Sequence, residues 1–219
     1  EKKLKKTIDS LSGNGHDFIT ADFSNPKELE KKINEKKIDK NYYSILVNNT
    51  GGPPPGKISN IKNEEFLDSI NKHLICSHVL FRAVYNNMKK NSFGRIINII
   101  STSVKEPIPN LGLSNTTRGA VASWSKTLAS EVAEFGVTVN NLLPGATNTK
   151  RLESLFKSIA NKRGVDPIDI KNEWIEDIPV GRVANPKEIA YAILFLSSEY
   201  AAYINGINLP VDGGRLQCL

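Results

Sequence analysis

The chain has 219 residues, 39% hydrophobic and 24% charged, with a formal net charge of +6. That composition defines a globular chain of one domain able to bury a substantial core, and no apolar run approaches the roughly 20 residues that a membrane helix requires. Its lysines alternate with acids, as in EKKLKK and ELEKKINEKKIDK, which marks solvated helix faces and argues against nucleic-acid binding.

Residues 1 to 12 read as the end of a helix, with Leu4, Ile8 and Leu11 at helical spacing and Gly13 to Gly15 stopping it. HDFITADF has the alternation of a strand and leads to Asp22-Phe23-Ser24-Asn25-Pro26, where Ser24 or Asn25 caps a helix that Pro26 opens. Tyr43 to Val47 reads as a short buried strand running into NNTGGPPPG. One long helix is expected over Glu64 to Met88, then a strand over Arg95 to Ile100, a proline-punctuated loop, and a helix from about Ser114 to Phe135. Val137 to Leu142 is a further strand, Asn148 to Ile178 is polar and partly helical, Pro186 starts another helix, and Ile207 to Val211 is a last strand before Asp212-Gly213-Gly214. Strands alternating with helices over short links predict an α/β chain: one doubly wound parallel sheet, helices on both faces, one domain.

The cysteines, Cys76 and Cys218, have neither metal-ligand nor disulfide spacing, so no metal is expected and a reducing cytoplasm is the expected setting. The sequence opens with neither a signal-peptide apolar core nor an initiator methionine.

Five segments, in order, carry chemistry: ADFSN, with Asp22; NNTGG, with Asn48, Asn49, Gly51 and Gly52; GRIINIIS, ending at Ser101; Ser114 to Arg118 opening a helix; and PGATNT, from Pro144 to Thr149. A helix-opening acid, a strand-ending turn or a Pro-Gly turn explains each singly. Together with IPVGRVANPKEIAYAILFLSS and INGINLPVDGG they resemble the short-chain dehydrogenase/reductase family, and 3-oxoacyl-carrier-protein reductases in general outline, over essentially the whole chain. The resemblance implies a Rossmann-type fold binding NAD or NADP. Asp22 would meet the adenine, Asn48 and Asn49 would tie the central strand to its neighbour, and Gly51 and Gly52 would let the backbone run against the cofactor. Gly145 and Ala146 would lie by the nicotinamide, with Thr147 or Thr149 reaching the pyrophosphate.

The catalytic segment departs from the family. Thirteen residues after Ser101, where a Tyr-x-x-x-Lys pair is expected, stand Ser114 and Arg118, and a shifted register offers only Leu113 and Thr117. A serine hydroxyl is far less acidic than a tyrosine, which titrates near pH ~10, and arginine stays protonated. Ser101, with Ser103 as second choice, would polarise a carbonyl. His73, where the family carries an asparagine, is a candidate substitute acid or else a histidine at a helix kink or subunit contact.

Two readings stay open: an NAD(P)(H)-dependent oxidoreductase of a small carbonyl or alcohol substrate with a divergent site, and a non-catalytic dinucleotide binder or assembly module. Residues 148–178 are expected to cover the substrate, with Leu152, Leu155, Phe156, Ile159 and Trp174 lining its pocket. A homodimer or homotetramer is expected through the helices Glu64–Met88 and Ser114–Phe135, using Leu80, Val84, Val121, Trp124 and Leu128. The family's opening strand, glycine-rich turn, helix and second strand are absent from the sequence, so a preceding segment with a Gly-x-x-x-Gly-x-Gly turn is expected in the gene product.

Overall fold

A computed structural model describes residues 1–218. Four parallel strands, β1 (Ile45–Asn48), β2 (Gly94–Ile99), β3 (Val137–Pro144) and β4 (Asn208–Val211), lie side by side in chain order. The helices are α1 (Lys2–Asp9), α2 (Pro26–Glu35), α3 (Asn63–Ile70), α4 (Cys76–Lys90), α5 (Gly112–Val132), α6 (Lys150–Arg163), α7 (Pro167–Glu176) and α8 (Pro186–Ser197). None is long and apolar enough to cross a membrane.

The period of two along each strand decides which helix covers which face. Ile96, Val137 and Val139 pack with Phe81, Val84 and Met88 of α4 and with Leu128 and Val132 of α5. Ile97 and Leu142 point the other way, onto Ile189 and Leu196 of α8. Because both faces of β2 and β3 are covered, nearly every residue of these strands is buried, the polar Arg95, Asn98, Thr138, Asn140 and Asn141 included.

Three expectations change. HDFITADF forms no strand, since alternation yields a strand only where a neighbour takes up the backbone hydrogen bonds, and no such neighbour stands beside it among the described residues. For the same reason β1 is an edge strand: Leu46 packs into the α4–α5 side, but Ile45 and Val47, on the α8 side, are about half exposed. The helix expected over Glu64 to Met88 is two α-helices joined by a π-helical turn, Asn71–Ile75, which carries the buried His73. Asn25, not Ser24, caps α2 by accepting from the Glu28 N–H.

Of the residues expected to mediate self-association, Val84, Val121 and Leu128 are consumed by the core of this same chain. Leu67 and Ile75 of the Glu64–Met88 stretch are exposed, and a larger exposed apolar group lies elsewhere, with Tyr191, Leu194 and Phe195 on α8 and Tyr200 and Tyr203 just beyond it.

A row of asparagines crosses the sheet. Asn48, Asn98, Asn141 and Asn208 stand opposite one another in register. Asn48 donates to Asn98 (2.8 Å), Asn98 to Asn141 (3.1 Å) and Asn141 to Asn208 (2.8 Å), while Asn98 also donates to Ser125 of α5 at 2.9 Å. The row meets β1 at its last residue and β2 one residue before its end, directly behind the loop that lines the candidate site, and crosses β3 at its middle and β4 at its first residue.

Candidate active site

In a parallel sheet the loops that leave the carboxyl ends of the strands are free to build a site, because each must turn away from the sheet there. NNTGG follows β1, Ser101 follows β2, Gly145 to Thr149 follow β3, and Asp212 follows β4. The loop after β3 fits only because Gly145 lacks a side chain: a Cβ there would stand 2.7 Å from the Asp212 Cα.

One cavity of about 660 Å³ opens between the loop after β1, the Asp22–Phe23 turn, and α3 with the π-helical turn that follows it. Asp22, Asn49, Gly51, Gly52 and His73 line it together with Thr50, Ser69, Lys72 and Leu113. Asn48 lies behind this wall in the asparagine row, so it ties β1 to β2 as expected, although β1 is the edge and not the centre of the four strands. Asp22 is exposed and accepts from the Ser24 N–H, a bond that holds its carboxyl below the usual range. Gly51 has no atom within 4 Å of where a Cβ would stand, so a ligand can lie flat against its backbone.

Ser101, Ser114, Arg118 and the Pro144–Thr149 loop are not on this wall. Ser101 caps a short 3₁₀ turn, its Oγ accepting from Ser103 N, while the Ser103 hydroxyl is buried without a partner among the described residues. Ser114 is half-buried in the first turn of α5, four residues and hence one turn before Arg118 on the same helix face. Thr147 donates to Gly145 O, and Thr149 caps α6 by accepting from Leu152 N. The Ala146 carbonyl is occupied by Ala184 N–H at 2.9 Å.

Arg118 is 6% exposed and bonds two backbone carbonyls, Ile99 O at 2.9 Å and Thr50 O at 3.4 Å. Burial, and then the charge of Arg151, bring its pKa down to about 10, so it remains a cation at neutral pH. His73 is 2% exposed, with Nδ1 hydrogen-bonded to the Thr50 hydroxyl and its backbone carbonyl accepting from Ser77 at 2.7 Å. Burial first, then the cations Arg118, Lys72 and Arg151, lower its pKa to about 3, with Asp68 opposing them weakly. His73 is therefore neutral at neutral pH, whereas a free histidine would titrate near pH ~6.5.

That displacement has a stability consequence with a definite sign. Between pH ~6.5 and about 3 the unfolded chain binds a proton at His73 that the folded chain does not, so folding stability falls as pH drops through this window. Replacing His73 with Gln removes this contribution. Urea midpoints measured from pH 7 to 3 are expected to fall less steeply in His73→Gln than in the parent, and parallel curves would refute the buried neutral imidazole.

Sequence reasoning missed four residues here. Thr50 lies inside NNTGG, between the asparagines and the glycines, and its hydroxyl there was the available signal. Ser69 and Thr117 share a buried hydrogen bond of 2.8 Å between α3 and α5; Thr117 donates onward to Leu113 O, so Ser69 is the donor. Nothing in their spacing announced that contact. Arg151 reaches back from α6 to Gly52 O at 3.1 Å and Pro53 O at 3.3 Å.

In the segment expected to cover the substrate, the five residues expected to line its pocket pack into a small core. Leu152, Phe156, Ala160 and Ile170 are buried together, Leu155, Ile159 and Trp174 pack against them, and Arg163 bonds Glu173 twice, at 2.6 and 2.8 Å, to clamp α6 to α7.

A parallel sheet between helical layers, with its cavity at the carboxyl ends of the strands, defines a Rossmann-type, dinucleotide-binding class of protein. Residues 1–215 match the family model described as Enoyl-(Acyl carrier protein) reductase. The chain is 33% identical over 215 residues to the 3-oxoacyl-(acyl-carrier-protein) reductase FabG of Haemophilus influenzae, covering 97% of this chain and 84% of that protein. It is 29% identical over 175 residues to the NADPH-dependent reductase BacG of Bacillus subtilis, 80% of this chain and 68% of that one. The structure resembles L-sorbose reductase from Gluconobacter frateurii, solved with NADPH and L-sorbose, with a TM-score of 0.84 at 27% identity over 92% of this chain and 77% of that one. The chain belongs to the short-chain dehydrogenase/reductase family, whose members are NAD(P)-dependent oxidoreductases of carbonyl and alcohol groups.

Proposed function

We propose that this chain is a cytoplasmic NAD(P)(H)-dependent oxidoreductase of a small carbonyl or alcohol substrate, with its proton chemistry moved away from the position after Ser101. The observation that carries this reading is the convergence of Asp22, Asn49, Gly51, Gly52 and His73 on one cavity at the carboxyl edge of the sheet.

The dinucleotide fits these residues: Gly51 leaves its backbone bare to the cavity, and Asn49 and the Asp22 carboxylate offer polar groups on either side. When bound, the nicotinamide supplies or accepts the hydride. On this reading Asp22 holds the adenine end, while the loop from Pro144 through Gly145, Ala146 and Thr147 to Thr149 flanks the nicotinamide end. Ser101 and Ser114 present hydroxyls to the substrate oxygen. Thr50 and His73 are the proton-handling pair on the cavity wall, the neutral imidazole fixing the direction of the Thr50 hydroxyl. Residues 148–178 close over the substrate, and their internal core lets α6 and α7 move as one piece. Assembly into a homodimer or homotetramer is supported by the exposed apolar side of α8, in place of the α4–α5 surface.

The test is direct: full-length protein is titrated with NADPH and NADH by fluorescence and then assayed on a panel of ketones. Saturable binding with turnover that falls at least 10-fold in Thr50→Val is expected. Binding without turnover by any variant would turn the reading to a non-catalytic binder.

A further inference from the structure

Two guanidiniums beside the cavity, Arg118 and Arg151, have no carboxylate partner among the described residues, although Asp22, Glu64, Glu65 and Asp68 line the cavity itself. Arg118 is buried and meets only carbonyl oxygens, and the charged group that acts on it is another arginine. Arg95, the other buried arginine, makes the contrast plain: it bonds three carbonyls, of Gly94, Gly136 and Ser198, but the Glu199 carboxylate also acts on it. Arg151 likewise meets carbonyls alone, and neither it nor Arg118 forms an ion pair among the described residues. Lys72, by comparison, is paired with Asp68 at 2.7 Å. A guanidinium removed from water without an anion is costly, and its forked donors match a carboxylate or phosphate better than single carbonyls.

Both arginines grip one short loop. Arg118 holds Thr50 O, and Arg151 holds Gly52 O and Pro53 O, so the two cations bracket the segment that forms the cavity wall. Gly52 is needed for this approach, because a Cβ there would stand 2.5 Å from the Arg151 guanidinium.

The placement of Arg151 is also unfavourable for its own helix. Lys150 and Arg151 open the 14-residue α6, where the helix dipole is positive and acids are preferred, and Glu153 is the acid of that first turn. A local conflict of this kind is relieved by an anion at that helix end, where the dipole and the two side chains attract it together.

We propose that Arg118 and Arg151 seat an anionic oxygen group, carboxylate or phosphate, of a ligand held between the 50–53 loop and the start of α6. The inference deepens the oxidoreductase reading and rests on it only for what the ligand is: either the substrate carries the anion, as a 2-oxo acid does, or the dinucleotide's pyrophosphate does. The anion replaces the two carbonyl bonds of Arg151 and gives the buried Arg118 its missing counter-charge.

Arg151→Gln in the full chain tests this, since Arg151 is exposed and its loss spares the core. Calorimetry with inorganic pyrophosphate, titration with NADPH, and reduction of phenylpyruvate against its methyl ester are the readouts. Loss of a charge-assisted hydrogen bond corresponds to about 10- to 100-fold. If the substrate brings the anion, kcat/KM for the acid falls by that factor, with the ester and NADPH unaffected. If the cofactor brings it, NADPH and pyrophosphate binding both weaken by that factor, and acid and ester suffer alike. Arg151→Lys recovers part of either loss. Unchanged pyrophosphate affinity, NADPH affinity and acid-to-ester preference would overturn the proposal. Pyrophosphate binding that needs Arg151 in a protein without turnover would preserve the anion site and remove the oxidoreductase reading instead.

Discussion

Replacing Ser114 with Tyr and Arg118 with Lys together is expected to raise the turnover of simple neutral ketones by about 10²–10⁴-fold, the usual contribution of a positioned general acid. Ser114 and Arg118 occupy one face of the first turns of α5, and Arg118 already reaches the carbonyls at the ends of β1 and β2. A tyrosine at 114 would therefore stand one turn ahead of a buried cation that lowers its pKa toward neutrality, which a serine hydroxyl cannot match. Steady-state rates with NADPH and a neutral ketone check the double variant against each single one. An effect under threefold would mean that the substrate does not approach α5 at position 114.

Asn98→Leu is expected to destabilise the fold by about 3 kcal/mol, a large share of the roughly 5–15 kcal/mol that holds a domain together. The leucine would fill the space, but the Asn48 amide and the Asn141 carbonyl oxygen would lose their partner where neither can reach water, and Ser125 would lose a donor. Each orphaned buried group costs about 1–3 kcal/mol. For a chain of this length that corresponds to a Tm lower by about 6–12 °C. Thermal unfolding followed by circular dichroism measures it, and a loss below about 1 kcal/mol would mean that the row contributes no more than an apolar contact would.

Much of the architecture was legible in the residues. Ile96 and Ile97, and Val137, Val139, Leu142 and Leu143, fall in segments too short for buried helices and set between helical periods, which is the pattern of parallel strands covered on both faces. The helix starts at Pro26 and Pro186 follow from proline at the first turn and asparagine before it, and both caps form. Such signals are local, so they survive without knowledge of the rest of the chain.

What needed the tertiary structure was every property that depends on a distant neighbour. HDFITADF alternates as a strand should, yet pairing is a relation between two segments and no partner stands beside it among the described residues. Asn98 and Asn141 each look like an interruption of a β-run; only the register, which brings four asparagines opposite one another, turns them into a hydrogen-bonded row. His73 was recognisable as a histidine out of place, but its proton affinity is set by burial and by cations from α5 and α6, 45 and 78 positions further along the chain. The sequence by itself thus determined the family and most of the order of elements, because those are carried by residue type and spacing. Only the tertiary structure brought Thr50, His73, Arg118 and Arg151 close enough to act on one another, because electrostatic energy depends on distance in space and not along the chain.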